Sequence, residues 1–169
     1  MSSGSKYAGL PEVHHVGLVV ADLNQSIDRL SRSFGVGPFW SRQRADLPAA
    51  LADGTVGFSL GVGMVWMYNT LLELLQPLDD RSPIHAFLRD RGEGLHHLAF
   101  WVDGLADHIA HFESLGLTRI ADNTSPGPGR VSWAYLEGDA VSGTVLELMN
   151  RDESSEVFFN EIYRAVGRP

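Results

Sequence analysis

The sequence predicts an α+β fold of two tandem βαβββ modules whose two half-sites face each other and build a metal site. Three observations carry that expectation. An apolar run with two adjacent histidines, Val13-His14-His15-Val16-Gly17-Leu18-Val19-Val20, returns 82 residues later as Leu95-His96-His97-Leu98-Ala99-Phe100-Trp101-Val102. A second run built around one glutamate, Thr70-Leu71-Leu72-Glu73-Leu74-Leu75, returns 74 residues later as Thr144-Val145-Leu146-Glu147-Leu148-Met149. Between the two members of each half, helix and strand patterns follow in the same order, the signature of an internal repeat.

The elements follow in order. Residues 1–12 read as a Ser/Gly-rich tail that lacks the basic and apolar regions of a signal peptide. Residues 13–80 are the first module. Val13 to Val20 is a β-branched strand. Asp22 caps a helix from Leu23 to about Phe34, with Leu23, Ile27, Leu30 and Phe34 at helical spacing, and Gly35 ends it. Gly37 to Gln43 is a short strand and Asp46 to Gly54 a polar, Pro-containing loop. Val56 to Pro77 divides into strands of about Val56 to Val62 and Val65 to Gln76. Residues 81–93 form a linker helix opening at Ser82-Pro83, where Pro suits the first helical position. Residues 94–151 repeat the plan: a strand from Leu95 to Val102, a helix from Leu105 to Leu115, and a strand from Leu117 to Ala121. A Pro/Gly loop over 124–129 follows, then strands Val131 to Leu136 and Gly143 to Met149. Residues 152–169 carry a last helix, about Ser154 to Val166. Its Val157, Phe158, Ile162 and Val166 are too apolar for a solvated tail, so it packs on the body or on a partner subunit.

The chemistry rests on four residues. Strand side chains alternate between faces, so His15 shares a face with Gly17, and His97 with Ala99. Small residues two places on leave room beside each imidazole. His14 and His96 then point to the opposite face in structural roles, while His85, His108 and His111 read as solvated. Glu73 lies among leucines, with no Lys or Arg within six residues, and Glu147 is similarly enclosed. An unpaired buried carboxylate costs several kcal/mol or stays protonated, and a divalent cation removes that cost. Two imidazoles and two carboxylates suit one divalent ion, Zn, Ni, Co, Mn or Fe(II), with positions left for a substrate oxygen.

Bulk properties narrow the partners. A net charge of −8 disfavours nucleic acid and anionic membrane. The absence of Cys excludes thiolate sites and disulfides. An apolar fraction of 44% without a run near 20 residues fits a soluble, cytoplasmic globular protein that takes a small-molecule substrate.

The chain resembles the vicinal oxygen chelate (glyoxalase/bleomycin resistance/dioxygenase) superfamily from Val13 to about Arg151, most nearly its methylmalonyl-CoA epimerase-like and glyoxalase-like members. The resemblance rests on His14-His15-Val16-Gly17, Leu72-Glu73-Leu74-Leu75-Gln76-Pro77-Leu78 and Ser82-Pro83-Ile84. It extends to Gly94-Leu95-His96-His97-Leu98-Ala99 and Val145-Leu146-Glu147-Leu148. It implies that the strands form one curved mixed sheet around a metal held by His15, Glu73, His97 and Glu147, and a homodimer. Epimerases often carry Gln where Glu73 stands, and Glu there is closer to glyoxalase I. They also carry a further carboxylate near the start of the third strand. Here only Asp53 is close, and it reads as a turn residue before Gly54. The expected function is a metal-dependent isomerase, epimerase or lyase. It would abstract a proton next to the metal-bound carbonyl of a CoA thioester or hydrophobic metabolite, with Glu147 or Glu73 moving the proton. Arg130, Trp101 and Tyr135 are expected at the substrate. The alternatives are a non-catalytic ligand-sequestering protein and metal-dependent ring-opening or addition on an aromatic metabolite.

Overall fold

The computed structural model describes residues 9–124 and 130–167. The first half runs β1 (His15–Val19), α1 (Leu23–Phe34), β2 (Trp40–Leu51), β3 (Gly54–Met67) and β4 (Thr70–Pro77). After α2 (Pro83–Arg91), the second half runs β5 (Gly94–Val102), α3 (Leu105–Ser114), β6 (Thr118–Asn123), β7 (Trp133–Glu137) and β8 (Val145–Asn150). The last element is α4 (Glu153–Val166). Residues 125–129, most of the expected Pro/Gly loop, lie outside the described residues.

The eight strands close in the order β1-β4-β3-β2-β6-β7-β8-β5. Each half ends on a strand that returns parallel to its first strand, β4 beside β1 and β8 beside β5. The halves join where β1 and β5 run antiparallel. The opposite seam is thin, with β2 meeting β6 through the pair Ala50 and Asp122.

Both faces of this sheet are covered, which explains strands apolar at nearly every position. The convex face carries α3, with Leu105 and Ile109 packed against Leu136, Leu146 and Leu148. It also carries α1, where Leu23 meets Val20 and Leu74. Asp22 accepts a hydrogen bond from the Gln25 N–H at 2.9 Å, and Gly35, at φ 67°, closes α1 in the left-handed conformation. The concave face holds Phe58, Leu60, Val62, Met64, Val145 and Met149, and α4 docks into it with Phe159, Ile162 and Val166. Asp152 and Ser155 form a reciprocal capping box at its start. The apolar stripe of α4 is thus turned onto its own body, with Val157 left outside. No helix among the described residues is long and apolar enough to cross a membrane.

Two expectations are corrected. The loop expected over Asp46 to Gly54 is mostly strand, because β2 continues to Leu51. A bulge between Arg44 and Leu47, with Asp46 at φ 49°, absorbs the irregularity. Pro48 is tolerated because β2 is nearly an edge strand there. Ala52 and Asp53 form the β2–β3 hairpin turn. The break between the next two strands falls at Tyr68-Asn69, with Tyr68 at φ 55°, and not at Gly63. Gly61 and Gly63 do not interrupt β3. They admit α1, whose Leu23 methyls would stand 3.3 and 3.0 Å from a Cβ at either position.

Candidate metal centre

Four neighbouring strands, β4-β1-β5-β8, each supply one residue: Glu73, His15, His97 and Glu147. Register brings them together. Gly17 is the pairing partner of both Glu73 and His97, and Ala99 of both His15 and Glu147. Partners in register share a face of the sheet, so each small residue sits between one imidazole and one carboxylate. At Gly17 the fit is absolute, since a Cβ there would land on the His97 ring. One donor atom from each of the four lies within 4.8 Å of the others.

The donors converge by their outer atoms. His15 Nε2 and His97 Nε2 are 3.2 Å apart. Glu147 Oε2 stands 3.3 and 3.1 Å from them, and Glu73 Oε2 3.5 and 3.3 Å. Despite these short distances Glu147 Oε2 makes no hydrogen bond among the described residues. An acceptor buried beside two imidazole nitrogens, all aimed at one point, is the donor set a divalent cation takes.

Electrostatics agree. Burial alone would lower the His97 pKa, but the carboxylates of Glu147 and Glu73 outweigh it and lift the imidazole to about 9. His15 is raised by the same opposition. Burial alone would raise Glu73, but contacts with His15 and His97 hold it down at about 2, and Glu147 is depressed likewise. Two anions enclosed together, Glu147 buried and Glu73 part-buried, demand about two positive charges. Two imidazolium protons meet that demand, and so does one divalent ion.

The cluster heads a cavity of about 110 Å³. Its wall is apolar, with Phe58, Leu60, Val62, Trp133, Met149 and Phe159 prominent. Arg130 and Tyr135 reach this wall. Burial first, then Glu147 and Glu73, push the Tyr135 phenol up, so its hydroxyl stays protonated. Trp101 is not on the wall. It stacks on the far side of His14, ring centroids 4.6 Å apart, with Arg151 over it. Asp53, in its turn, is also off the wall, whose carboxylates are Glu73 and Glu147. Sequence reasoning missed Arg44, which shares the wall and lies close enough to Arg130 for their charges to interact. It also missed Phe158 and Phe159 of α4. The apolar stripe of α4 signalled burial without saying where.

His14 and His96 do not point away from the site. Their Nδ1 atoms lie 2.9 Å from the Nδ1 atoms of His15 and His97. For His96 a β-bulge is the reason. Gly17 pairs with His97 and Leu18 with Leu95, so His96 is the extra residue of β5. His14 precedes β1, and its N–H donates to the carbonyl of Ala99, the partner of His15, at 2.7 Å. A bulge suspends the alternation of faces. His108 is also buried, its Nδ1 3.2 Å from the Gly104 carbonyl, and His85 and His111 are half-buried.

Known proteins share this architecture. A Dictyostelium discoideum mitochondrial methylmalonyl-CoA epimerase is 26% identical over 153 residues, 86% of each chain. The uncharacterized Bacillus subtilis protein YqjC is 31% identical over 77 residues, 46% of this chain, and the match spans about half of that relative's length, 55%. The crystal structure of Mycobacterium tuberculosis methylmalonyl-CoA epimerase superposes with a TM-score of 0.63 at 22% identity, covering 93% of this chain and 97% of that one. A methylmalonyl-CoA epimerase in complex with methylmalonyl-CoA and NH4+ gives 0.61 at 19%, covering 86% and 98%. The family model for the Glyoxalase/Bleomycin resistance protein/Dioxygenase superfamily matches residues 14–136. With that match over most of its length and with paired βαβββ halves in one closed sheet, the chain belongs to this superfamily.

Proposed function

We propose that the chain is a divalent-metal-dependent enzyme that moves a proton on the carbon beside a substrate carbonyl, as an isomerase, epimerase or lyase. One observation carries the reading: the carboxylates of part-buried Glu73 and buried Glu147 converge with two buried imidazoles at the head of a small apolar cavity. The relatives named as methylmalonyl-CoA epimerases support it and favour a CoA thioester as substrate. His15, Glu73, His97 and Glu147 would hold the ion, which when bound supplies Lewis acidity toward a carbonyl oxygen.

The remaining work falls to the chain. A cavity of about 110 Å³ admits an acyl tip and not a whole coenzyme, so the bulk of a thioester stays outside. Apolar walls exclude water and strengthen every charge interaction inside. Arg44 and Arg130 receive an anionic substrate group. A carboxylate oxygen of Glu147 or Glu73 takes the proton and returns it. These two come from β8 and β4, on either side of the β1–β5 pair.

The test is exchange. Protein loaded with Co(II), Mn(II) or Zn(II) is incubated with methylmalonyl-CoA in deuterated water, and α-proton loss is followed by NMR. We expect metal-dependent exchange that disappears in a Glu73→Ala, Glu147→Ala double variant. Undiminished exchange in that variant would sink the reading.

A further inference from the structure

The outer histidines determine which nitrogen each inner histidine offers. For His15 to present the Nε2 lone pair to a cation, its proton must sit on Nδ1. That N–H points at His14 Nδ1, 2.9 Å away. His14 must therefore accept there and carry its own proton on Nε2. That second N–H points at the Tyr163 hydroxyl oxygen, 2.6 Å away. The bonds run in one direction, from His15 Nδ1–H to His14, and from His14 Nε2–H to Tyr163 on α4. The His14 ring is clamped while it does this, with Trp101 stacked on it at 4.6 Å and Phe159 edge-on at 4.5 Å.

The second half carries the first link of the same chain and a different ending. His97 Nδ1 faces His96 Nδ1 at 2.9 Å. Beyond it, the His96 ring meets the edges of Phe87 and Tyr135, at 4.9 and 5.3 Å.

We propose that His14 and Tyr163 are positioning residues that lock the tautomer and orientation of His15, so that helix α4 sets the metal affinity of the site. This rests on the reading of His15 as a metal ligand. Outer partners of ligating histidines are typically worth about 10–100-fold in affinity.

The experiment measures Co(II) affinity of the full-length protein by chelator competition, together with the visible spectrum of the bound Co(II). His14→Leu removes the acceptor and should weaken binding about 10–100-fold. His14→Asn keeps a side-chain oxygen near the Nδ1 position and should restore most of that loss. Tyr163→Phe keeps the ring packing and removes only the hydroxyl. It should weaken binding by up to about tenfold and shift the Co(II) spectrum. A metal-free melt of each variant checks folding, and Tyr163→Phe carries the test if His14→Leu does not fold. His15→Ala keeps the two readings apart. If it binds like the parent, the ligand set is wrong and this proposal falls with it. If it loses the metal while Tyr163→Phe and a folded His14→Leu stay within twofold of the parent, the coupling through α4 alone is overturned.

Discussion

His14 and His96 occupy equivalent places in the repeat, yet different helices cover them. Over His14 lies α4, which brings Phe159 and the Tyr163 hydroxyl. Over His96 lies α2, which brings the edge of Phe87 and no hydrogen bond to the imidazole among the described residues. The inner residues show the opposite behaviour. His15 and His97, and Glu73 and Glu147, match in type and register. The repeat is kept where four donors must meet at one point. It is lost where helices from outside the repeat close the shell. Gly17 and Ala99 mark the boundary, equivalent in register and unequal in the space they leave.

That contrast breaks most easily at the covering helices. Phe159 is 2% exposed at the centre of the concave core, whereas Phe87 is half-buried. Phe159→Ala should cost about 3–5 kcal/mol in denaturant unfolding, and Phe87→Ala distinctly less. Equal losses would mean that the two coverings are interchangeable after all.

The small residues come next. Gly17→Ala forces a methyl group against the His97 ring, an overpacking that should cost about 1–3 kcal/mol. Because it displaces a donor, it should lower metal affinity beyond the roughly 100-fold typical of an outer partner. Ala99→Gly leaves His15 in place and should cost under about 1 kcal/mol with metal binding retained. Calorimetry with and without Zn(II) separates the two outcomes.

The gentlest probe is pH. Without metal, the His97 pKa is raised from 6.5 to about 9, so its contribution is complete below pH 6.5 and disappears as pH climbs through 9. Glu73 is depressed from 4.5 to about 2, so its contribution is complete above pH 4.5 and disappears as pH falls through 2. Metal-free protein should therefore melt highest between about pH 4.5 and 6.5. Between pH 6.5 and 9 its melting temperature should fall, while apparent metal affinity rises about tenfold per pH unit for each proton displaced. A melting temperature that stayed flat across that range, with and without metal, would mean the imidazoles are not protonated in the metal-free cluster.

Local chemistry decided how much of this was legible beforehand. The capping residues Asp22, Gly35 and Ser82 bound α1 and α2 where they were expected, because a cap is a short-range hydrogen bond written in adjacent residues. The four candidate ligands were legible because the repeat writes each type twice. The long β2 was not, since Pro48 and the acidic bulge at Asp46 look like loop until β3 pairs with them. The inward turn of His14 and His96 was hidden too. Strict alternation puts them on the far face, and only cross-strand register reveals the bulge that brings His96 back. Trp101 looked like a cavity residue because aromatic character says nothing about which side of a neighbouring ring it will cover.

The run of neighbouring strands β4-β1-β5-β8 also has a kinetic meaning. Each half-site closes only when a strand pairs with one far along the chain, and the two half-sites meet only when β1 finds β5. Such distant pairings form late, because the entropy of closing long loops is spent before any contact rewards it. Tight uptake of the proposed ion should therefore lag the recovery of secondary structure on refolding, and would report the last step of assembly.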